Sequence, residues 1–377
     1  MKKTVYFDNA ATTFPKPESV YKYADIYVRN SCGNPGRGSH KLALAASEEL
    51  YKTREALASL FAAEPENIAF TMNTTYALNT AVKGAVGYGE HVLISNMEHN
   101  SVLRPVDAVC RERNSRYSVF DASGDAQETL ESIRRLTRKN TKTLVCTHVS
   151  NIIPKTLPIS LIGDFCRANG ITFIVDGAQS AGIYDIDIEK DNIDILCVPG
   201  HKGLYGFQGA AAIIFGNSDK SYRTLVEGGS GTDSIPVTMP EYYPDRFEAG
   251  TLPSPAIAAF GEGVRWVISN GTSAIRKHEE ELCGIMLDGL SSIGNAVLYS
   301  TSLGSTVLFN IDGVSPAEVS EICSKENICV RSGLHCAPLA HKTVGSFPSG
   351  GVRVGFSAFN TVSDVKKLLY TLSKIQV

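Results

Sequence analysis

Two apolar runs, each ending in chemically distinctive residues, decide the fold. Residues 171–179 read ITFIVDGAQ, so the first run stops at Asp176 and a turn of small residues follows. Residues 193–203 read IDILCVPGHKG, so the second run leads into a glycine-flanked lysine, Lys202. Short runs rich in β-branched residues are typical of buried strands in a parallel sheet. In open α/β sheets, ligands bind at the loops that follow such strands.

Further strand-like runs alternate with helical segments around these two. The predicted strands are 68–71, 91–95, 116–120, 143–147, 171–175, 193–198 and 211–215, and the separating helical patterns include 75–86 and 157–168. This alternation predicts an α/β fold with a mostly parallel sheet of about seven strands. The last two runs are too close together for a long helix between them, so they indicate an antiparallel pair.

The pattern changes near Pro253, where a long helical stretch through Leu290 begins. Shorter strands and a Gly/Pro-rich loop over residues 332–351 follow. We therefore predict a large domain of residues 18–255. A smaller α+β domain would contain residues 1–17 and 256–377, including Cys336. The chain is long enough for two such units.

Composition and charge exclude several classes of protein. The 377 residues are 43% hydrophobic and 20% charged, with a net charge of -3. No apolar run approaches the roughly 20 residues of a membrane-spanning helix, and Asp8 arrives before a signal peptide could form its apolar segment. We expect a cytoplasmic protein that binds a small molecule and neither nucleic acid nor membrane. The nine cysteines lack a Cys-x-x-Cys pair and match neither a disulfide framework nor a zinc site.

Polar residues follow the ends of several predicted strands. Thr74 and Thr75 open a predicted helix, whose free N–H groups and hydroxyls suit a phosphate, although ordinary helix capping explains them as well. His99 and Asn151 follow two other strands. The chain has neither a G-x-G-x-x-G turn nor a Walker-type loop, so nothing positive points to a nucleotide.

Asp176 and Lys202 together indicate pyridoxal phosphate (PLP). A carboxylate at the end of an apolar strand requires a cationic partner, and the protonated pyridine nitrogen of PLP is one. A lysine flanked by glycines can approach a flat cofactor and form a Schiff base with its aldehyde. Each residue alone has a commoner explanation, a capping Asp and a solvated Lys, but their combination favours PLP. His99 could then stack on the ring and move protons, against the alternative of a structural histidine.

The loop around Cys336 has the composition of a reactive site. Arg331 and Arg353 bracket it, and a guanidinium can hold the carboxylate of an amino-acid substrate through two hydrogen bonds. His335 and Arg331 near Cys336 would favour a nucleophilic thiolate. An incidental cysteine and surface ion pairs are the alternatives. A metal site from His335, Cys336 and His341 lacks a fourth ligand, so we expect no metal.

These residues belong to a series of motifs spread over almost the whole chain. In order they are 6–13 (YFDNAATT), 34–38 (NPGRG), 70–71, 74–75, 98–100, 148–151 (HVSN), 175–179, 200–202, 246–251 (RFEAGT), 331–339 (RSGLHCAPL) and 359–361. The series resembles the class V aminotransferase superfamily, within it the cysteine desulfurase and selenocysteine lyase group. Each motif is modest evidence, whereas the ordered set is highly specific.

The resemblance implies a fold-type I PLP homodimer whose N-terminal residues join the C-terminal domain. It assigns the phosphate to Thr75 and His201, beside Thr74, with Thr251 reaching across from the second subunit. It assigns the ring and its phenolic oxygen to Asn151, Asp176 and Gln179, with His99 stacked above. The expected substrate-binding residues are Asn151, Arg331, His335 and Arg353.

The resemblance also implies a reaction, conversion of L-cysteine to L-alanine. Lys202 would hold PLP and, once freed, remove the Cα proton, and Cys336 would become a persulfide that passes sulfur to an acceptor protein. Selenocysteine lyase acting on L-selenocysteine, a C–S lyase that makes pyruvate, an inactive sulfur-relay scaffold and a nicotinamide dehydrogenase remain alternatives. Iron-sulfur cluster assembly, thio-cofactor synthesis and selenium supply all remain open as the pathway.

Two positions depart from the family pattern. Pro199 stands where many relatives have a hydroxyl, which removes one expected phosphate contact. Leu334 stands where relatives with a His-His-Cys segment have histidine. The compact Cys336 loop resembles the subgroup that relies on a separate acceptor protein.

Overall fold

The computed structural model describes residues 4–36, 38–216 and 220–375. Arg37 of the predicted NPGRG motif and residues 1–3 of the predicted small domain lie outside the described residues. None of the helices in the described ranges is long and apolar enough to cross a membrane.

The described strands and helices alternate along most of the chain. The strands are β1 Val5–Tyr6, β2 Ile68–Thr71, β3 His91–Ser95, β4 Arg116–Phe120, β5 Thr141–Thr147, β6 Thr172–Asp176, β7 Ile195–Pro199, β8 Ala211–Phe215, β9 Ala296–Leu298, β10 Thr306–Ile311, β11 Ile328–Cys329, β12 Arg331–Gly333 and β13 Gly351–Gly355. The helices are α1 Glu18–Asn30, α2 Lys41–Phe61, α3 Thr74–Ala85, α4 Asn100–Glu112, α5 Ala126–Leu136, α6 Ile159–Asn169, α7 Ser254–Asn270, α8 Thr272–Ser291, α9 Pro316–Lys325, α10 Pro338–Thr343 and α11 Val362–Leu372. Short 3₁₀ helices cover Pro65–Asn67 and Asp245–Phe247.

Seven of the described strands form the central sheet, in the order β2-β8-β7-β6-β5-β3-β4. Strands β3 to β7 pair in parallel, and β8 is antiparallel to both of its neighbours. The predicted mostly parallel seven-stranded sheet with a late antiparallel pair is therefore confirmed. The carboxyl ends of the parallel strands meet at one edge, which brings their following loops together.

Successive side chains of a central strand alternate between two hydrophobic cores, which explains why these strands are unbroken apolar runs in the sequence. Phe173 and Val175 of β6 face one hydrophobic core, whereas Ile174 faces a second core beneath α3 and α4. Successive strand residues point to opposite faces of a sheet, so a sheet covered on both faces needs apolar residues at every position.

The predicted helical stretch beginning at Pro253 is two helices rather than one. Gly271 separates α7 from α8 and has a φ of 82°, a conformation that glycine adopts at little cost. The predicted loop over residues 332–351 was also wrong in part, because it contains most of β12 and the short helix α10.

A second unit is built from both ends of the chain. Strands β12-β13-β10-β9 form an antiparallel sheet, and β1 pairs in parallel with β11. Val5 and Phe7 share a core with Val307, Phe309 and residues of α8, α9 and α11. The N-terminal residues thus join the C-terminal part of the chain. The domain limits at 17/18 and 255/256 remain a prediction, and α7 packs into the core of the large sheet.

Candidate active site

A cavity of about 200 Å³ lies at the carboxyl ends of the parallel strands. Its walls contain Asn73, Thr74, Thr75, Leu78, His99, Ser101, Thr147, Asn151, Asp176, Ala178, Gln179, His201 and Lys202. Every cofactor-binding residue predicted from the sequence is among them except Thr251. Ser101 and Thr147 also line the cavity although no sequence motif assigned them a role, and each lies within four residues of a predicted site residue.

Lys202 lies in the turn after β7, and the N-terminal segment holds that turn in place. The carbonyl oxygen of His201 accepts hydrogen bonds from Thr12 Oγ1 at 3.1 Å, Thr13 N at 3.1 Å and Lys16 Nζ at 2.7 Å. Thr13 Oγ1 also donates to the Lys202 carbonyl at 3.0 Å. Burial lowers the pKa of Lys202 to about 8, with the negative charge of Asp176 opposing the shift.

The glycines beside Lys202 serve the packing of the turn. A Cβ on Gly200 would lie 2.9 Å from the carbonyl oxygen of Ala210, and a Cβ on Gly203 would lie 2.5 Å from that of Ala181. Neighbouring backbone fills the space at both positions. Packing alone therefore requires glycine at both positions, and access of a cofactor to Lys202 past them stays a prediction.

Asp176 ends β6 with its side chain buried against the cavity. Its Oδ1 accepts a hydrogen bond from Ala178 N at 2.9 Å. Residues 178–180 form a turn and none of the described helices begins there, so the helix-capping alternative is wrong. Burial raises the pKa of Asp176, and the Lys202 charge opposes that rise. A buried carboxylate that lines a cavity is stabilised by a cation placed in that cavity, so this turn hydrogen bond and cofactor binding are compatible.

His99 is the N-cap of α4 and also lines the cavity. Its Nδ1 accepts a hydrogen bond from Ser101 N at 3.0 Å and lies 2.8 Å from Ser101 Oγ. Because Nδ1 is an acceptor, the proton of the neutral ring is on Nε2. Burial, ahead of the positive charge of Lys202, lowers the pKa of His99 to about 4. The ring is therefore neutral at physiological pH.

Three buried polar atoms of cavity-lining residues have no hydrogen-bond partner within the described chain. They are Thr74 Oγ1, Asn151 Oδ1 and His201 Nδ1. Leaving a buried donor or acceptor unpaired costs about 1–3 kcal/mol, so the three atoms indicate a polar ligand. Thr74 also begins α3, whose N-terminal N–H groups favour an anion.

Arg353 is buried beside the cavity and is not a surface arginine. Its Nη1 donates to the carbonyl oxygen of Asn151 at 2.9 Å, and its Nη2 pairs with Asp8 Oδ1 at 3.0 Å. Nε of Arg353 has no hydrogen-bond partner in the part of the chain that the structure describes. Arg331 lies directly opposite on β12 and is exposed. Asp8 belongs to the YFDNAATT motif, and only its contact with Arg353 shows that it lies at the site.

Cys336 is exposed in the turn after β12. Asn100 N, beside His99, donates to the carbonyl oxygen of Cys336 at 2.7 Å, and Asn151 Nδ2 donates to that of His335 at 2.8 Å. His335 and Cys336 have φ values of 47° and 56°, in the left-handed region. The turn is thus attached to two segments that line the cavity.

Both ring nitrogens of His335 have hydrogen-bond partners within the chain. Its Nε2 lies 3.2 Å from the Arg331 carbonyl oxygen and its Nδ1 lies 3.2 Å from His341 Nε2, while His341 Nδ1 lies 2.6 Å from Ser346 Oγ. Burial lowers the pKa of His335 to about 3. Contrary to expectation, the neutral ring supplies no charge to the Cys336 thiol and has no free nitrogen for a substrate. We propose instead that it positions the turn.

Two further predictions concern groups outside the cavity. Thr251 is exposed and borders a separate cavity near Phe70 and Leu225, so within its own chain it does not line the candidate site. Among the described residues, no three His, Cys, Asp or Glu side chains cluster closely enough to hold a metal ion.

Sequence comparison identifies the relatives of this chain. The family model described as aminotransferase class-V matches residues 5–368. A probable cysteine desulfurase from Methanothermobacter thermautotrophicus is 30% identical over 385 residues, which cover 100% of this chain and 95% of that protein. One from Halalkalibacterium halodurans is 30% identical over 380 residues, which cover 98% and 92%.

Solved structures show the same likeness. The apo structure of a cysteine desulfurase from Thermococcus onnurineus NA1 has a TM-score of 0.89 at 27% identity, covering 98% of this chain and 94% of that one. A cysteine desulfurase from Escherichia coli also has a TM-score of 0.89, at 22% identity, which is a likeness in fold. The match extends over nearly the whole chain and includes both the cavity and the Cys336 turn, so this chain belongs to the aminotransferase class-V family.

Proposed function

We propose that the protein is a PLP-dependent cysteine desulfurase that converts L-cysteine to L-alanine and carries the sulfur as a persulfide on Cys336. One observation carries the proposal. The cavity that contains Asp176 and Lys202 is joined, through hydrogen bonds from Asn100 and Asn151, to a turn that exposes Cys336. The named relatives are cysteine desulfurases, in agreement with this arrangement.

The residues of the cavity fit PLP, the cofactor of this family. Asp176 would pair with the ring nitrogen, and His99 would lie against the ring with Gln179 nearby. The unpaired atoms of Thr74 and His201, with the N-terminus of α3, would hold the phosphate. Pro199 offers no hydroxyl to it. When bound, PLP supplies an electron sink for bonds broken at the substrate Cα.

Protein side chains would bind the substrate and move its protons. The free Nε of Arg353 would donate to the substrate carboxylate, beside Asn151. Lys202 Nζ would accept the Cα proton, since a pKa of about 8 places the amine nearer neutral pH than an ordinary lysine.

Cys336 would receive the sulfur. Its Sγ attacks the substrate sulfur, so that an S–S bond forms as the substrate Cβ–S bond breaks and Cβ gains a proton. The balanced products are L-alanine and one persulfide, with no external oxidant or reductant. An exposed Cys336 suits transfer of this sulfur to an acceptor protein. A homodimer in which Thr251 completes the partner's phosphate site, and a cytoplasmic location, belong to the same proposal.

The decisive experiment measures alanine release and persulfide formation from L-cysteine. Cys336→Ser should abolish both while leaving the cofactor absorbance unchanged, because only the sulfur acceptor is lost. Cys32→Ser removes the other exposed cysteine and is the matched control, with activity expected near wild type. Lys202→Ala should abolish turnover.

Other outcomes of this experiment would indicate a different enzyme activity. Undiminished alanine release by Cys336→Ser would contradict the persulfide step, and pyruvate as the main product would indicate a C–S lyase. Faster turnover of L-selenocysteine that survives Cys336→Ser would favour the selenocysteine lyase alternative.

A further inference from the structure

The ion pair between Asp8 and Arg353 joins two distant parts of the chain at the candidate site. Asp8 Oδ1 lies 3.0 Å from Arg353 Nη2. Backbone contacts hold Asp8, since it bridges to Gly355 and its carbonyl accepts hydrogen bonds from the amides of Ala11 and Thr12. These backbone contacts therefore fix the position of the Asp8 carboxylate.

The two partners differ in their access to water. The Arg353 side chain is 3% exposed, whereas that of Asp8 is 23% exposed. Burying an unpaired guanidinium is costly, so Arg353 requires a counter-ion before substrate arrives. Asp8 is that counter-ion, and its exposure allows water to solvate it when a second anion binds Arg353.

The trio of Arg331, Arg353 and Asp8 carries one positive charge that is not neutralised within it. The nearby Lys202 and Asp176 have opposite charges. Arg331 and Arg353 are direct cross-strand partners on β12 and β13, and Asp8 is the carboxylate paired with Arg353. Two guanidiniums and one carboxylate have a net charge of one positive unit. One substrate carboxylate, bound at the free Nε of Arg353, neutralises the group.

We propose that Asp8 is a specificity-determining residue, which limits the arginine pair to substrates with a single carboxylate. This inference rests on the proposed function, because Arg353 is taken to bind the substrate carboxylate. Amino acids with an acidic side chain would bring a second negative charge close to Asp8, and repulsion would weaken their binding. Asp8 acts through Arg353 and does not itself need to contact the substrate.

Asp8→Asn provides the test, since the amide oxygen can still accept from Arg353 Nη2 while the negative charge is removed. With the loaded enzyme, we expect the KM for L-cysteine to fall while kcat changes little. Binding of L-aspartate, measured by calorimetry, should tighten by about tenfold. Binding of L-serine, which lacks the second carboxylate, should tighten less. Asp25→Asn, which breaks the exposed Asp25–Arg29 pair, is the matched control and should change none of these values.

If Asp8 had only a structural role, its replacement would weaken the binding of amino acids. Tighter binding by Asp8→Asn therefore distinguishes a role in specificity from a structural role. An unchanged or raised KM in Asp8→Asn, or equal shifts for L-serine and L-aspartate, would overturn the inference. The absence of alanine release by wild type would refute the proposed function instead, and the calorimetric comparison, which needs no turnover, would still judge Asp8.

Discussion

Several residues of the site have both a structural and a chemical role. Asp176 accepts a hydrogen bond from Ala178 N within a turn, and His99 caps α4, yet both line the same cavity. These hydrogen bonds fix each side chain in one orientation and, for His99, also fix the tautomer. In both residues, the hydrogen bond that stabilises the local backbone also orients the side chain toward the cavity.

The left-handed backbone of Cys336 gives a prediction about stability. A φ of 56° costs a non-glycine residue about 1–2 kcal/mol, whereas glycine adopts it freely. Because glycine also makes the unfolded chain more flexible, Cys336→Gly should raise the free energy of unfolding by a net of about 0.5–1 kcal/mol. Urea unfolding would measure this against Cys336→Ser, which also lacks the thiol. Equal stability of the two variants would mean that the turn relaxes its backbone.

At the scale of elements, a buried glutamate joins the ends of two strands beneath the site. Glu98 Oε1 accepts a hydrogen bond from Ser95 Oγ at the end of β3 and another, at 2.9 Å, from Thr147 N at the end of β5. Glu98 Oε2 has no partner among residues 4–36, 38–216 and 220–375. Burial raises the pKa of Glu98 to about 8, so the side chain holds its proton at neutral pH.

This proton gives Glu98→Gln a pH-dependent effect. Glu98 binds its proton in the folded state up to a pKa of about 8, whereas an unfolded glutamate releases it near its ordinary pKa. Between these two pKa values, the free energy of unfolding of the wild type therefore falls as the pH rises. The glutamine variant has no carboxyl group at this position and does not lose this stability. The stability of Glu98→Gln relative to wild type should increase from about pH 5 to about pH 8. Unfolding of both proteins by urea at the two pH values measures this. A constant difference would contradict a buried neutral Glu98.

At the scale of the whole molecule, the segment from Tyr6 to Lys16 joins the second unit to the active-site loops. Asn9 Nδ2 donates to the Gly355 carbonyl at 2.9 Å and to Asn360 Oδ1 at 3.1 Å, and Asn9 Oδ1 accepts from Phe14 N at 3.2 Å. A few residues further on, Thr12, Thr13 and Lys16 donate hydrogen bonds to the carbonyl of His201, beside Lys202. One short segment thus couples the sheet that contains Arg353 to the loop that contains Lys202.

Asn9→Ala should therefore destabilise the whole protein. Asn9 is buried, and its loss would leave several buried backbone and side-chain groups unpaired, at a cost of about 2–3 kcal/mol. Chemical denaturation would measure this, with Asn30→Ala as control, because Asn30 makes one exposed hydrogen bond to its own helix. Equal effects of the two substitutions would show that the segment contributes little to global stability.

The sequence by itself determined the elements and most of the cavity. Strands 68–71, 91–95, 116–120 and 211–215 were predicted residue for residue, since local runs of β-branched residues bounded by turns are sufficient for a buried strand. Thr74, His99, Asp176 and Lys202 were found because each follows such a strand, and parallel strands bring their carboxyl ends together.

Only the tertiary structure decided which distant residues complete the site. Asp8 contacts Arg353 across 345 positions of the chain and Lys16 contacts the His201 carbonyl across 185, and no local pattern encodes a contact between residues so far apart. The orientation of His335 is likewise decided by burial against His341 and by the left-handed turn. Local periodicity specifies where strands and their terminal loops form, whereas side-chain pairing depends on the packing of the complete fold.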